Sequence, residues 1–216
     1  MLLSVLALGC SSESLTIYLA SSVCAQVPST EQQISCAGTQ TLAMQIEHGA
    51  RPDGVIFAGQ RYLSVLDEGY STPRKFAANQ LVLALRPGLA VTTIEDSVLH
   101  PRWLIGSPDV PIGELSRAWL AQQPERLQQQ IHQRIVSEEL SAGIIRSKLE
   151  LGSADVGWLY ASDAQSASLA AISDPGLAQH RLTYWASAVD TPQAQEWLDG
   201  LSTALPDLLQ VGFGAP

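Results

Sequence analysis

Tyr18-Leu19-Ala20-Ser21-Ser22 closes an apolar run, and Gly38-Thr39-Gln40-Thr41-Leu42 opens a segment with helical spacing. Each stretch puts small hydroxyl residues where a strand ends or a helix begins. Such places gather unpaired backbone N–H groups and the positive end of a helix dipole. Together they read as a cradle for an anion, built without charged side chains. Working outward, Leu15 to Leu19 is a β-rich run of the kind buried in a parallel sheet. A polar connection through Pro28 leads to a second short strand, Ile34 to Ala37. A helix over 41–48 follows, capped by Thr39 or Gln40 and ended by Gly49. Val55 to Ala58 is the next strand, and Arg61 to Glu68 has helical spacing. This order predicts an α/β protein with a parallel sheet and helices on both of its faces.

The chain has 216 residues, enough for one large domain or two small lobes. Gln80 to Leu85 is a strand stopped by Arg86-Pro87-Gly88, and it reads as a crossing into a second lobe. There, Trp103 to Gly106 is a strand, Pro111 starts a helix running to about Leu120, and Ser141 starts another that Gly152 stops. Val156 to Tyr160 is a strand, with Ser162-Asp163-Ala164 capping the next segment. Leu182 to Ala186 is a strand that returns the chain to the first lobe, Thr191-Pro192 starts a helix, and a last helix ends near Gly212. The expected division is 14–80 plus 186–216 for lobe 1 and 81–185 for lobe 2. Ser22, Thr39, the Val110-Pro111-Ile112-Gly113 start, the Ser141-Ala142 start and Tyr160 all fall at strand ends or helix starts. Ligands of doubly wound sheets bind at such ends. Two of these places from one lobe and three from the other are expected to face each other across a cleft.

Charge limits the partners. A formal net charge of -9 argues against nucleic acid and against long-range capture of an anion, so local N–H and O–H donors must do the holding. The apolar run Met1 to Cys10 is too short to span a bilayer. It resembles the end of a lipoprotein signal, which implies export to the periplasm or another extracytoplasmic space, with Cys10 as the candidate lipid anchor. No Lys or Arg precedes that run, and Leu8 sits where a small residue is commoner; a stretch upstream of a soluble chain is the alternative. Cys24 and Cys36 remain as an even pair, open to a disulfide or to two buried thiols. There is no CxxC and no Cys/His cluster, and the four histidines lack ligand spacing. The five tryptophans read as core, and Glu138-Glu139 as a solvated helix face.

From about Leu15 to Phe213 the chain resembles the periplasmic molybdate-binding proteins, the substrate-binding components of ABC importers. The resemblance rests on Leu19-Ala20-Ser21-Ser22, on Gly38 to Ala50, on Asn79-Gln80-Leu81-Val82-Leu83, on Pro108-Asp109-Val110-Pro111-Ile112-Gly113, on Val156 to Ala164 and on Gln210-Val211-Gly212-Phe213. It implies a two-lobed type II periplasmic-binding-protein fold, each lobe a mostly parallel sheet flanked by helices, with the ligand between lobes. It implies a monomer that binds molybdate or tungstate, uses no cofactor, is not an enzyme and partners a membrane permease. Carried over position by position, the ligand hydroxyls fall on Ser22 and Thr39, the amide donors on Ile112 and Ala142, and the tyrosine on Tyr160. Near Ala142 the register is loosest, so Ser141 and Gly143 stay open as donors. This chain differs in having only Cys24 to Gln33 where the family carries a full helix, and Phe57-Ala58-Gly59 where Ser-Ala-Asp is usual.

Tetrahedral dianions suit such a site because they accept hydrogen bonds from many directions and donate none. The rival readings are a related protein retuned to another oxyanion or a small organic acid, and a hydrolase with Ser22 as nucleophile. Neither Gly-x-Ser-x-Gly nor a nearby histidine favours the hydrolase. Ser22 and Thr39 as plain turn and cap residues, and Tyr160 as a core aromatic, are the structural alternatives.

Overall fold

A computed structural model of the chain describes residues 14–27 and 32–216. The leader-like segment with Cys10, and Pro28, lie outside the described residues. Strand and helix alternate along the chain. In order, the elements are β1 (Thr16–Ala20), β2 (Gln33–Ala37), α1 (Thr39–Glu47), β3 (Gly54–Ala58), a 3-10 turn (Gln60–Val65), β4 (Arg74–Leu85), α2 (Ile94–Ser97), β5 (Trp103–Gly106), α3 (Pro111–Leu120) and α4 (Glu125–His132). Then come β6 (Ile135–Glu139), α5 (Ala142–Glu150), β7 (Val156–Tyr160), α6 (Ala161–Ser166), β8 (Ala171–Ile172), α7 (Pro175–Gln179), β9 (Arg181–Ala188), α8 (Pro192–Gly200), a second 3-10 turn (Leu201–Ala204) and α9 (Leu205–Gln210).

The strands lie in the order β2-β1-β3-β9-β4-β7-β5-β6, with β8 also on β4. β1 pairs in parallel with β2 and β3, and β5 pairs in parallel with β6 and β7. Between these two parallel groups run β9 and β4, both antiparallel to their neighbours. β4 serves both sheets: Arg74 to Gln80 pairs with β9, and Leu81 to Leu85 pairs with β7. β9 pairs with β4 from Arg181 and with β3 to Ala188. The α/β class expected from the alternation of apolar runs is therefore present, as parallel sheets with helices packed on them: α1 on β1, α8 on β9 and β3, and α3 and α5 on β5 and β7.

Local chemistry explains the elements that frame the later site. Pro111 needs no N–H partner at the first turn of α3, and Thr191 Oγ1 accepts the Ala194 N–H at 3.4 Å to start α8. Two glycines allow close approach. A Cβ on Gly113 would collide with the Ser107 and Gly106 carbonyls, and one on Gly157 would lie 2.7 Å from Ile145 Cγ2. These contacts seat α3 and α5 tightly against β5 and β7. Trp103, Trp119 and Trp158 fill the space beneath, with ring centroids 5.3 Å and 6.0 Å apart. Trp185 and Trp197 are only half-buried, unlike the other three.

Two sequence expectations change. Arg61 to Glu68 is not an α-helix but the short 3-10 turn, entered at Gly59 with φ of 95° and left by an extended Leu66. The segment is too short for a continuous buried stripe, and none of its residues is fully buried. Glu138-Glu139 is not a helix face but the end of β6, where successive side chains alternate sides. Glu138 reaches out to Arg117 at 2.7 Å, while Glu139 is buried and paired with Lys148.

Candidate functional site

A cavity of about 270 Å³ lies between the β1–β3 side and the β5–β7 side. Ser22, Thr39, Ile112, Ala142 and Tyr160 all line it. Each arrives on a different element, and each is placed by its own local structure.

Ser22 sits in the turn after β1. Val23 N donates to Ala20 O at 3.0 Å and Gln26 N to Val23 O at 3.1 Å, so the chain coils through Ser21 to Val27 without forming a helix. A disulfide joins Cys24 to Cys36 at the end of β2, with Cα atoms 6.0 Å apart. That bond decides between the two readings left open for the cysteines. It also ties down the turn that carries Ser22, where the family would have a helix. Ser22 Oγ lies 2.9 Å from the Tyr184 hydroxyl.

Thr39 is the first residue of α1, with Gly38 as the cap, so its expected capping role is replaced by another. Its Oγ1 accepts the Ala58 N–H at 3.0 Å, and it is 3% exposed. Accepting that bond leaves the hydroxyl proton free to donate. Thr41 N and Leu42 N both donate to Gly38 O, so the Thr39 and Gln40 amides have no partner among the described residues.

The other two helix starts behave alike. At α3, Pro111 has no N–H, and Gly113 N and Glu114 N both donate to Val110 O at 3.0 Å. The Ile112 amide is the donor left over. At α5, Ile144 N donates to Ser141 Oγ at 3.3 Å and Ile145 N to Ser141 O at 3.3 Å. That leaves the amides of both Ala142 and Gly143 without partners among the described residues.

Tyr160 ends β7 and is 3% exposed. Its hydroxyl has no hydrogen-bond partner among the described residues. Burial first, and then the neighbouring Tyr184, push its pKa well above the ordinary tyrosine value, so it remains a protonated donor at neutral pH.

Sequence reading missed a second layer and two charges. Tyr184, fully buried, holds Ser22, and burial raises its own pKa too. Asn79 Nδ2 donates to Ser162 Oγ at 2.7 Å, and Asn79 Oδ1 accepts the Ser162 N–H at 3.4 Å. An asparagine inside the apolar strand β4 was a visible signal, since buried polar side chains need partners. Nothing local tied Tyr184 to a serine 162 positions away.

The expectation of a cradle without charged side chains is corrected: Arg146 and Asp163 also line the cavity. Arg146 lies one helical turn past Ala142 and shares its face of α5, a relation four-residue spacing could have revealed. Arg146 NH1 stands 3.8 Å from Asp163 Oδ1, and neither Arg146 Nε nor Asp163 Oδ2 has a hydrogen-bond partner among the described residues. Burial, offset only in part by Arg146, pushes the Asp163 carboxyl up to about 6.

Among the described residues, no three His, Cys, Asp or Glu side chains are gathered to hold a metal, and no helix is long and apolar enough to cross a membrane.

Residues 19–205 match the model of the family described as bacterial extracellular solute-binding protein. No curated protein sequence matches the chain. Among solved structures, the substrate binding domain of a putative molybdenum ABC transporter from Clostridium difficile is 21% identical, covers 94% of this chain and 99% of its own, and superposes with a TM-score of 0.74. The periplasmic molybdate-binding protein of Azotobacter vinelandii is 19% identical, with coverage of 94% and 100% and a TM-score of 0.76. PEB3 of Campylobacter jejuni, bound to L-phospholactate, is 12% identical, with coverage of 94% and 100% and a TM-score of 0.77. At these identities the likeness is one of fold.

Proposed function

This chain belongs to the bacterial extracellular solute-binding protein family, and we propose that it binds a tetrahedral oxyanion, molybdate or tungstate, and hands it to the membrane permease of an ABC importer. One observation carries the reading. Hydroxyls of Ser22, Thr39 and Tyr160 and unpartnered amides at three helix starts line a single small cavity. Each start contributes an N–H that nothing else among the described residues satisfies, and three positive helix ends meet there. The volume lies just below the range usual for drug-sized ligands, which suits a small ion.

In this reading β4 and β9 are the connections between two hinged lobes, 14–80 plus 186–216 and 81–185. The protein works as an extracytoplasmic monomer, with Cys10 as its lipid anchor. Closure brings the Ile112 and Ala142 amides and Tyr160 onto an anion first met by Ser22 and Thr39. Ser22 as a nucleophile finds no support, since none of the lining residues is a histidine and its hydroxyl is bonded to Tyr184. The presence of Arg146 in the cavity favours a second reading, a small organic acid whose carboxylate or phosphate takes the amide donors.

A thermal-shift panel of molybdate, tungstate, sulfate, phosphate and small carboxylates tests both. A ligand at about a hundredfold over its dissociation constant adds about 2.7 kcal/mol of stability. Molybdate and tungstate are expected to shift the melt most. A shift with carboxylates or organic phosphates alone transfers the site to the second reading, and no shift with any anion refutes both.

A further inference from the structure

Asp163 is an odd neighbour for an anion. It is 8% exposed, lines the same cavity as the five donors, and leaves Oδ2 without a partner among the described residues. Its one nearby cation, Arg146, stands 3.8 Å away, beyond hydrogen-bonding distance. Among the described residues, the elements packed on α6 offer no other cation to balance it. α5 brings Arg146, with Lys148 committed to Glu139; β7 brings Tyr160; β4 brings the neutral Asn79; Tyr184 faces it from β9. Both tyrosines stay protonated.

We infer that Asp163 is a specificity-determining residue that makes the cavity hold an oxyanion together with one proton, carried either by Asp163 or by the anion itself. The inference rests on the oxyanion reading above. A dianion and an ionised carboxylate in one enclosed cavity, with a single loosely placed guanidinium, repel strongly because little water screens them. Two arrangements relieve this. A fully ionised anion such as tungstate draws a proton from solvent onto Asp163, which is then neutral. A singly protonated anion such as hydrogen phosphate brings its own, and its O–H donates to the Asp163 carboxylate. Without Asp163, a donor-only cradle rejects the protonated anion, because its O–H meets only other donors. The raised carboxyl of Asp163, about 6, agrees with a group that accepts a proton readily when an anion arrives.

Calorimetry of the full chain tests this with two probes, tungstate and inorganic phosphate, in buffers of different ionisation enthalpy. At about pH 8, tungstate binding to the wild type is expected to take up close to one proton and to weaken about tenfold per pH unit above neutrality. Phosphate is expected to take up far less. Asp163→Asn is expected to remove both the proton uptake and the pH dependence for tungstate, to tighten tungstate at about pH 8 by tenfold or more, and so to weaken phosphate relative to tungstate. Arg146→Met is a second variant, expected to leave the Asp163 carboxyl harder to ionise and so to move the pH at which tungstate weakens upward, while the loss of a cation from the cavity lowers affinity throughout. The wild-type buffer comparison needs no variant to fold. Tungstate binding with no buffer or pH dependence overturns this inference and leaves the oxyanion reading standing. Silence of every anion from about pH 5 to 8 overturns both.

Discussion

A buried aspartate flanks each end of strand β7, and the two live in opposite circumstances. Asp155, before its first residue, accepts from Arg102 Nε at 3.2 Å, Arg102 NH2 at 2.7 Å, the Arg102 amide at 3.2 Å and Arg86 Nε at 2.9 Å. The Arg102 guanidinium, joined by Arg86, holds its carboxyl down at about 2. Asp163, three residues past the other end, has a free oxygen and one distant arginine, and its carboxyl rises to about 6. The exposed surface is nearly the same, 4% against 8%, but desolvation wins at Asp163, where one arginine offsets little of it, and loses at Asp155, where hydrogen bonds from Arg102 and Arg86 outweigh it. The end where strands begin is completed as structure, and the end where strands finish is left incomplete, facing a cavity.

The largest expected effect tests the finished end. Asp155→Ala should cost about 3 kcal/mol in a urea melt at neutral pH, the low end for breaking a buried pair, because the two arginines are partly exposed and rehydrate. Anion affinity should not change. An equal loss of affinity would mean that the two ends are not separable.

At the cavity end, Ser22→Ala and Tyr160→Phe should each weaken anion binding by about 1.5–3 kcal/mol, the scale of one hydrogen bond to a charge. Calorimetry at fixed salt and pH measures it, and wild-type affinity in both would remove those two donors from the site. Between the ends lies Gly157. Gly157→Ala should destabilise by about 1–3 kcal/mol through overpacking against Ile145. It should also weaken binding, because α5 carries the Ala142 amide.

The smallest effect has the opposite sign. Ionised Asp163 opposes folding, because its folded carboxyl binds a proton more tightly than the unfolded one. Its favourable contribution is complete below about pH 4 and is lost as pH rises through about 6. Asp163→Asn should therefore raise stability by about 1–2 kcal/mol at pH 8, and by little at pH 4. Asp155, with its carboxyl lowered, contributes above about pH 4 and loses that contribution as pH falls toward about 2. Relative to the wild type, the stabilities of Asp155→Asn and Asp163→Asn should change with pH in opposite directions.

Much of the fold was legible locally. Apolar runs marked β1, β3, β5 and β7, and Pro111, Ser141 and Thr191 marked the starts of α3, α5 and α8. The features that escaped are those that local pattern encodes weakly. β4 begins at Arg74, not Gln80, since Arg74-Lys75 is polar at the half that pairs with β9. The edge strand β6 alternates between exposed and half-buried positions before the buried Glu139, and its two acids read as a helix face until Lys148 and Arg117 were placed beside them. Around the cavity, strand ends and helix starts pointed to Ser22, Thr39, the Val110-Pro111-Ile112-Gly113 and Ser141-Ala142 starts and Tyr160, and the family resemblance singled out Ile112 and Ala142 among them. Neither could reveal Tyr184 behind Ser22, or Arg146 and Asp163 in the same wall.

The sequence by itself determined where β1, β7, α3, α5 and α8 begin or end, because turn residues, prolines and apolar periodicity act within a few neighbours. It thereby determined which amides would be left without partners at helix starts. Only the tertiary structure decided that three such starts share one cavity and that β4 joins both sheets. Only it decided that one aspartate is fully paired while another is nearly bare. Those outcomes depend on groups brought together from separate elements, up to 162 positions apart along the chain, and no local rule specifies which distant side chain will arrive.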